Sequence, residues 1–416
     1  MNAVPDRADV VVVGGGPAGA AAAAHLAGAG HEVVVVEKMR HPRQKTCGDG
    51  LTPRSVKALV DLGMADEVAR WHPVRGLRAY VAGRCLELDW PDHPVFPRHG
   101  AVVTRAELDT AIAERARKEG AVFLEDTEAT APGIEDGIVR GVEVRPKGGT
   151  GSRVSAAFVV VADGSLSRFG RALGNARDRR YPLGMAIRGY FDSPRDRDDY
   201  IESHIDVRDA AGRSLPGYGW VFPEGDGTVN VGIGLLSTFR GWKGVNTSEL
   251  MEAFTRVLPA YWEVDPDSGR SIHGGKLQMG MSVRPRIGPN WLAVGDAAGA
   301  INPFNGEGIA YALETAALAA EVIGSALGRG SGTELWRYGV ELDRRYAAYY
   351  RAARGFVRLI GEPTAMRVLS NVGMRSERIM TAVLRIMANL LTPELRDSEE
   401  RVYALLERLV ALGPEP

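Results

Sequence analysis

Apolar positions along this chain come in two textures, short continuous runs and alternating stretches. Asp9–Val13 (DVVVV) is a continuous β-branched run, the pattern of a strand buried on both faces of a parallel sheet. An alanine-rich segment reaching about Ala29 predicts a helix, and Glu32–Val36 predicts a second strand. Val159–Val161 and Trp291–Val294 are further continuous runs of the same kind. The middle of the chain differs. Leu183–Phe191, Tyr200–Arg208, Tyr218–Pro223 and Thr228–Leu236 read as strands separated by Gly, Pro and Asp turns. With Gly76–Leu88 they predict an antiparallel sheet. From Glu334 to Leu412 the pattern is helical, broken near Gly361-Glu362-Pro363 and at Pro393.

The junction of the first strand and helix holds the first chemistry. Gly14-Gly15-Gly16-Pro17-Ala18-Gly19 has GxGxxG spacing at Gly14, Gly16 and Gly19. The first glycine permits a tight turn, the second lets backbone approach a pyrophosphate, and the third allows close helix–strand packing. The helix N-terminus, including Ala18, offers free N–H groups and the positive end of its dipole. Pro17 sits where its missing N–H costs little. Glu37 ends the second strand 23 positions after Gly14, placed to accept from a ribose hydroxyl. Lys38 follows it as a second candidate contact. The pattern predicts a dinucleotide and leaves NAD(P) and FAD open.

Composition narrows the setting. The 416 residues carry 51 Lys plus Arg against 52 Asp plus Glu, a formal net charge of -1. That balance gives no global field to favour nucleic acid. Two cysteines, Cys47 and Cys85, exclude both a disulfide scaffold and a four-thiolate metal site; no metal is expected. Met1–Asp9 lacks the pattern of a secretory signal, and the glycines and proline interrupt the apolar run around Val10–Leu26. A cytoplasmic, reducing setting is predicted.

Three further segments decide between the dinucleotides. Val159-Val160-Val161-Ala162-Asp163-Gly164-Ser165, with Ser167 behind it, is a strand ending in Asp-Gly. Trp291-Leu292-Ala293-Val294-Gly295-Asp296 is a strand ending in Gly-Asp. Asn302-Pro303-Phe304-Asn305-Gly306-Glu307-Gly308 opens the next helix. With the phosphate loop, and in this order, they resemble the FAD-binding flavoproteins of the p-hydroxybenzoate hydroxylase-like group. The resemblance implies that Asp296 bonds a ribityl hydroxyl of FAD. It also implies that the glycines around Pro303, Gly306 and Gly308 let main-chain N–H groups reach the flavin ring. The helix dipole there would stabilise negative charge on reduced flavin. Thr104-Arg105-Ala106-Glu107 reads as a capping box. In the resembled group an arginine at Arg105 approaches the FAD from the other side; the alternative is a solvated helix arginine.

Two more signatures narrow the subfamily. Cys47-Gly48-Asp49-Gly50-Leu51 follows the second strand, and Leu215-Pro216-Gly217-Tyr218-Gly219-Trp220-Val221-Phe222-Pro223 lies in the middle block. Together they resemble the geranylgeranyl reductase family, which hydrogenates isolated double bonds of polyprenyl chains. The wording CGDGLTPR, PGYGWVFP and NPFNGEGI resembles the bacterial branch acting on menaquinone tails. Tyr218, Trp220 and Phe222 alternate along one strand and so share a face, a candidate apolar wall for a prenyl chain. Cys47 and Gly48 are placed beside the flavin ring by the resemblance, with Cys47 either tuning the flavin or merely buried. Cys85 is read as packing. Arg43 and Lys45 either hold phosphate or flavin ring oxygens or are merely solvated. An unactivated alkene needs an acid to protonate it early, and no residue is legible as that acid.

The predicted fold class is α/β. A Rossmann-like FAD-binding domain, discontinuous over 1–75, 101–175 and 275–328, carries an antiparallel-sheet substrate domain at 76–100 and 176–274 and a helical region at 329–416. The expected partners are a polyprenyl lipid and an electron donor that is either NAD(P)H or a redox protein, since no second complete GxGxxG follows a strand. Nine arginines against four acids between Glu341 and Leu390 give a local balance of +5. That stretch is either a helical appendix packed on the FAD domain or a basic surface resting on anionic lipid. Aromatic hydroxylases share the FAD domain and remain an alternative. Flavin halogenases carry a Trp-x-Trp-x-Ile-Pro strand, whose first tryptophan and isoleucine are replaced here by Tyr218 and Phe222. A flavin-binding module without catalysis is the third reading.

Overall fold

A computed structural model of the chain describes residues 4–391, apart from positions 82, 182, 206, 210–211, 239–240, 361–373 and 375. The helix breaks expected at 361–363 and 393 lie outside the described residues.

The valine runs do what continuous apolar strands must, which is to bury both faces. Arg7–Val13 is the middle of a sheet, parallel to Val33–Val36 on one side and to Ser152–Val161 on the other. Val122–Leu124 extends the first side and Trp291–Ala293 pairs with the end of Ser152–Val161, all in parallel. The antiparallel strands Thr127–Glu135 and Ile138–Pro146 complete this sheet by pairing with the start of Ser152–Val161, a hairpin the apolar pattern does not announce. Helices Pro17–Gly28, Arg105–Lys118 and Ile309–Arg329 cover one face, and their alanines let them approach closely in one core. Among the described residues, Ile309–Arg329 is the one helix long and apolar enough to cross a membrane. In it, 72% of the apolar window is buried inside the protein, as in a core helix.

The second sheet has seven strands in the order Arg270–Gln278, Leu183–Asp192, Thr228–Leu236, Gly217–Pro223, Tyr200–His204, Gly76–Val81 and Arg84–Asp89. Its neighbours are antiparallel except Tyr200–His204 and Gly76–Val81, which run parallel. That pair departs from the fully antiparallel expectation because the main sheet intervenes in sequence between its two strands. The strand expected over Tyr200–Arg208 ends at His204. Arg270–Gln278 runs across position 275, so this second sheet continues to Gln278.

A three-stranded ribbon joins the layers: Gly50–Leu51 and His72–Val74 both pair with Gly100–Val102. The C-terminal helix Ala348–Ile360 docks on the main core through Tyr349, Tyr350 and Ala353, and Glu377–Met387 packs through Leu384 on a separate cluster with Val74, Leu88 and Trp90. Several arginines of the C-terminal region are engaged. Arg344 and Arg345 pair with Glu341, Arg354 donates to Gly280 O, and buried Arg385 donates to Leu390 O. The described part of this region therefore packs on the body of the protein.

Asn290 shows how tightly the sheet edge is closed. Its Nδ2 donates to Val139 O at 2.7 Å and Ala157 O at 2.8 Å, while Oδ1 accepts from Val139 N at 3.0 Å. Asn290→Ala strands these buried groups and is expected to cost about 3 kcal/mol; urea unfolding of the holoprotein checks this.

Candidate active site

The phosphate loop is shaped by close backbone approaches. Gly14 has φ +103°, and a Cβ there would lie 2.4 Å from Ala162 O. A Cβ on Gly19 would lie 1.9 Å from Gly14 O, so the helix start presses directly on the turn. Gly295, at φ +55°, sits where a Cβ would meet Ala18. The ends of three strands thus converge on one helix N-terminus. That N-terminus, capped by Gly16, receives no side-chain hydrogen bond. Beside Gly16 the nearest atom to a would-be Cβ is Arg43 Nη2, at 3.2 Å.

Buried Glu37 accepts from Gly15 N at 2.7 Å and Met39 N at 3.0 Å, so its carboxylate braces the loop. Lys38 is exposed and makes no hydrogen bond or ion pair among the described residues. The structure gives that candidate no tie to the loop, because the chain turns outward after Glu37. Arg105 is buried rather than solvated, and grips Asp109 with two bonds of 2.7 and 2.9 Å. Burial opposes its charge most, but Asp109, Cys47 and Asp49 together raise its affinity for the proton. Arg43 is also largely buried, with Nη2 3.2 Å from the same Asp109. Its Nε is buried without a hydrogen-bond partner. That Nε lies 3.9 Å from Glu37 Oε1, and a donor left without a hydrogen bond beside an uncapped helix N-terminus is what a pyrophosphate would satisfy. Lys45 contributes its main chain, accepting from Arg188 at 2.9 Å.

The segment from Cys47 to Gly50 is trapped between layers. A Cβ on Gly48 would sit 3.1 Å from the Phe222 ring and 3.2 Å from Trp220 Nε1, and one on Gly50 would sit 2.9 Å from Phe222. Tyr218, Trp220 and Phe222 do form one row, with ring centroids 5.8 and 6.2 Å apart. Trp220 is buried against Gly232, while Tyr218 and Phe222 are half-buried. The open part of the wall is therefore its two ends. Cys47 is half-buried, its Sγ accepting from Asp49 N at 3.3 Å. Burial first and the Asp49 charge second push its thiol up to about 11, so it stays protonated at neutral pH. Cys85, expected in packing, is exposed instead, because Arg84–Asp89 is an edge strand of the sheet.

The 302–308 turn ties these parts together. Tyr218 Oη donates to Asn305 O at 2.6 Å, and Glu307 accepts from Thr52 and from Ser55 Oγ. Asn302 Nδ2 reaches Tyr349 Oη and Met387 O, each at 3.0 Å, which anchors both C-terminal helices. Gly306 has φ +74° and faces Tyr218 Oη. Pro303 packs beside Gly280. Gly308 starts Ile309–Arg329 without a side-chain cap, leaving a second helix N-terminus open. Asp296 lies next to Gly308 and makes no side-chain hydrogen bond or ion pair among the described residues, so it is available to a hydroxyl. Asp163 is occupied locally, accepting from Ser167 Oγ and from Phe169 N at 3.0 Å. It shapes its own loop, which in turn supports Gly14.

Two open helix N-termini, a free carboxylate and an orphaned guanidinium donor fit an extended dinucleotide with a ring at one end. Residues 7–202 match the FAD binding domain family. Over 407 residues the chain is 41% identical to a menaquinone reductase of Mycolicibacterium smegmatis, covering 95% of each. The chain belongs to the geranylgeranyl reductase family, in its menaquinone reductase branch. Like the rest of that family it is an FAD-dependent oxidoreductase. A geranylgeranyl bacteriochlorophyll reductase-like protein of Thermoplasma acidophilum superposes with a TM-score of 0.79 at 24% identity, covering 97% of this chain and 100% of that one. A flavin-dependent brominase superposes with a TM-score of 0.73 at 17% identity, covering 98% and 100%. Those two likenesses concern the fold alone.

The sequence patterns do not single out Asp109, Arg188, Tyr190, Glu224 or Asn230, which surround the 47–50 segment. A buried polar residue within an apolar strand, such as Asn230 in TVNVGIGLL, was the available signal. Gly19→Ala has no room for its methyl and is expected to displace the loop. The flavin-to-protein absorbance ratio of purified protein should fall several-fold.

Proposed function

We propose that this reductase saturates a C=C bond in the prenyl tail of menaquinone. The observation that carries the reading is the aromatic row packed directly on the Cys47–Gly50 segment, beneath the turn that would hold the flavin ring. Relationship to a menaquinone reductase over nearly the whole chain supports it. Reduced FAD, when bound, supplies a hydride to one alkene carbon.

The chain's own residues do the rest. The loop from Gly14 to Gly19, with Pro17 and Ala18, takes the pyrophosphate; Arg43 offers its free donor, and Glu37 stiffens the loop. Asp296 and Gly295 face the ribityl chain, and Pro303, Gly306 and Gly308 shape the ring's seat. The open N-terminus of Ile309–Arg329 favours negative charge there. Cys47 and Gly48 cover the ring from the other side, with Arg105 behind them. Tyr218 and Phe222 offer apolar surface to a prenyl chain and exclude water, and Trp220 keeps them in line. A neutral Cys47 thiol avoids placing an anion beside a hydride donor.

The test is anaerobic. Dithionite-reduced protein given long-chain menaquinone should yield a product two mass units heavier in its tail. Unchanged tails, with a product sixteen units heavier only when NAD(P)H and oxygen are both present, would make the enzyme a hydroxylase.

We further propose peripheral contact with anionic membrane at the inner face of the cytoplasmic membrane, because the substrate is a lipid and Arg378 and Ile379 are exposed on helix Glu377–Met387. Flotation with anionic vesicles should exceed that with neutral ones, and equal flotation refutes the contact.

A further inference from the structure

A polar cluster lies under the 47–50 segment, on the side facing the second sheet. Asp49 is fully buried at φ +64°, a conformation that Asp and Asn enter with less strain than other side chains. Its Oδ2 accepts from Tyr190 Oη at 2.5 Å and from Asn230 Nδ2 at 2.8 Å. Its Oδ1 is buried without a partner. Asn230 also donates to Cys47 O at 3.0 Å and accepts from Trp220 Nε1 at 2.9 Å. Glu224 follows the aromatic strand, and neither of its buried carboxyl oxygens makes a hydrogen bond.

Charge around these two acids is unevenly distributed. Arg188 faces both from the strand Leu183–Asp192, but its guanidinium is held by Ser271 O at 2.7 Å and Lys45 O at 2.9 Å. Arg105 faces Asp49 from its helix and is held by Asp109. Tyr190 and Cys47 face Asp49, and Asp226 faces Glu224. A buried carboxylate without hydrogen bonds is far more costly than the neutral acid, so Glu224 keeps its proton. Burial, followed by the charges of Asp49 and Asp226, holds it well above the usual carboxyl range. Burial pushes Asp49 up to about 6 against the pull of Tyr190, Arg188, Arg105 and Asn230.

We propose that Asp49 and Glu224 form the proton store for alkene saturation, with Asp49 as its outlet beside the aromatic row and Glu224 as its reserve. This role rests on the reductase reading above. The balance closes. The alkene π bond is replaced by two C–H bonds, one hydrogen arriving as hydride from reduced flavin and one as a proton drawn from Asp49. Asp49 passes on the one proton that Glu224 holds at rest, both carboxyls are left ionised, and solvent restores that proton to Glu224 after product leaves. Tyr190 and Asn230 are positioning residues that hold Asp49 Oδ2 and leave Oδ1 free.

The sign of the pH effect follows from these directions. An acid whose affinity for protons is higher in the folded state stabilises that state at low pH and loses the contribution as pH rises. For Asp49 the loss falls between 3.8 and about 6, and for Glu224 it falls higher.

The experiment uses the FAD-loaded full chain and the variants Asp49→Asn and Glu224→Gln. Asn tolerates the backbone of position 49, and Gln keeps the shape of Glu224. Infrared spectra in H₂O and D₂O should show a protonated carboxyl stretch at neutral pH in the wild type that Glu224→Gln lacks. Asp49→Asn should flatten the decline of the unfolding midpoint between pH 4 and 6. Both variants should keep flavin occupancy and lose anaerobic single-turnover saturation by roughly a hundredfold. A protonated carboxyl band that Glu224→Gln leaves undiminished, or wild-type saturation rates in both variants, would overturn the proton store alone. A wild-type protein that leaves the tail unsaturated removes the reductase reading and this role with it.

Discussion

The close contact between the Cys47–Gly50 segment and the aromatic strand Gly217–Pro223 is the constraint on which the remaining architecture depends. Two glycines, Gly48 and Gly50, let the main chain lie on Trp220 and Phe222 with no room for side chains. The segment is pinned on its far side by pairing of Gly50–Leu51 with Gly100–Val102. Asn230 fastens it from below, bridging Cys47 O, Asp49 and Trp220. A cofactor domain and a substrate sheet that would otherwise meet across a slippery apolar face are thereby fixed in register. Tyr218 and Glu307 extend the same joint to the 302–308 turn.

This joint concentrates buried polar groups where the chemistry is expected. Glu202, by contrast, is fully engaged, accepting from Tyr261, Trp262, Arg78 and His204. The Asp49–Glu224 cluster differs because three of its four carboxyl oxygens lack partners. Unsatisfied buried oxygens weaken a fold, and their retention beside the aromatic row is consistent with a functional demand there. Two buried arginines share one partner. Arg105 and Arg43 converge on one carboxylate, Asp109, which keeps two cations buried near a site for an anionic cofactor.

The cofactor half of the molecule was legible in the sequence because its determinants are local. A tight turn needs glycine at Gly14, and close packing needs it at Gly19; continuous valines declare a parallel strand. The family then followed from whole segments, CGDG and PGYGWVFP, that have few other uses. What could not be read depends on distant pairing. The parallel match of Tyr200–His204 with Gly76–Val81 joins strands separated by the rest of the main sheet, and no periodicity encodes it. Glu224 looks like a turn residue in PEGDG, and only the folded arrangement buries it. Cys85 lies exposed, against the packing expected of it, because a strand pattern does not say which strand is an edge.

The account's central claim is that the prenyl tail, and not oxygen or the quinone ring, accepts hydrogen from this flavoprotein. The most direct measurement follows flavin reoxidation by anaerobic stopped-flow absorbance, using menaquinol whose ring is already reduced. The account predicts that menaquinol with an unsaturated tail reoxidises the flavin and that the same compound with a fully saturated tail does not. Equal rates with both tails would contradict it.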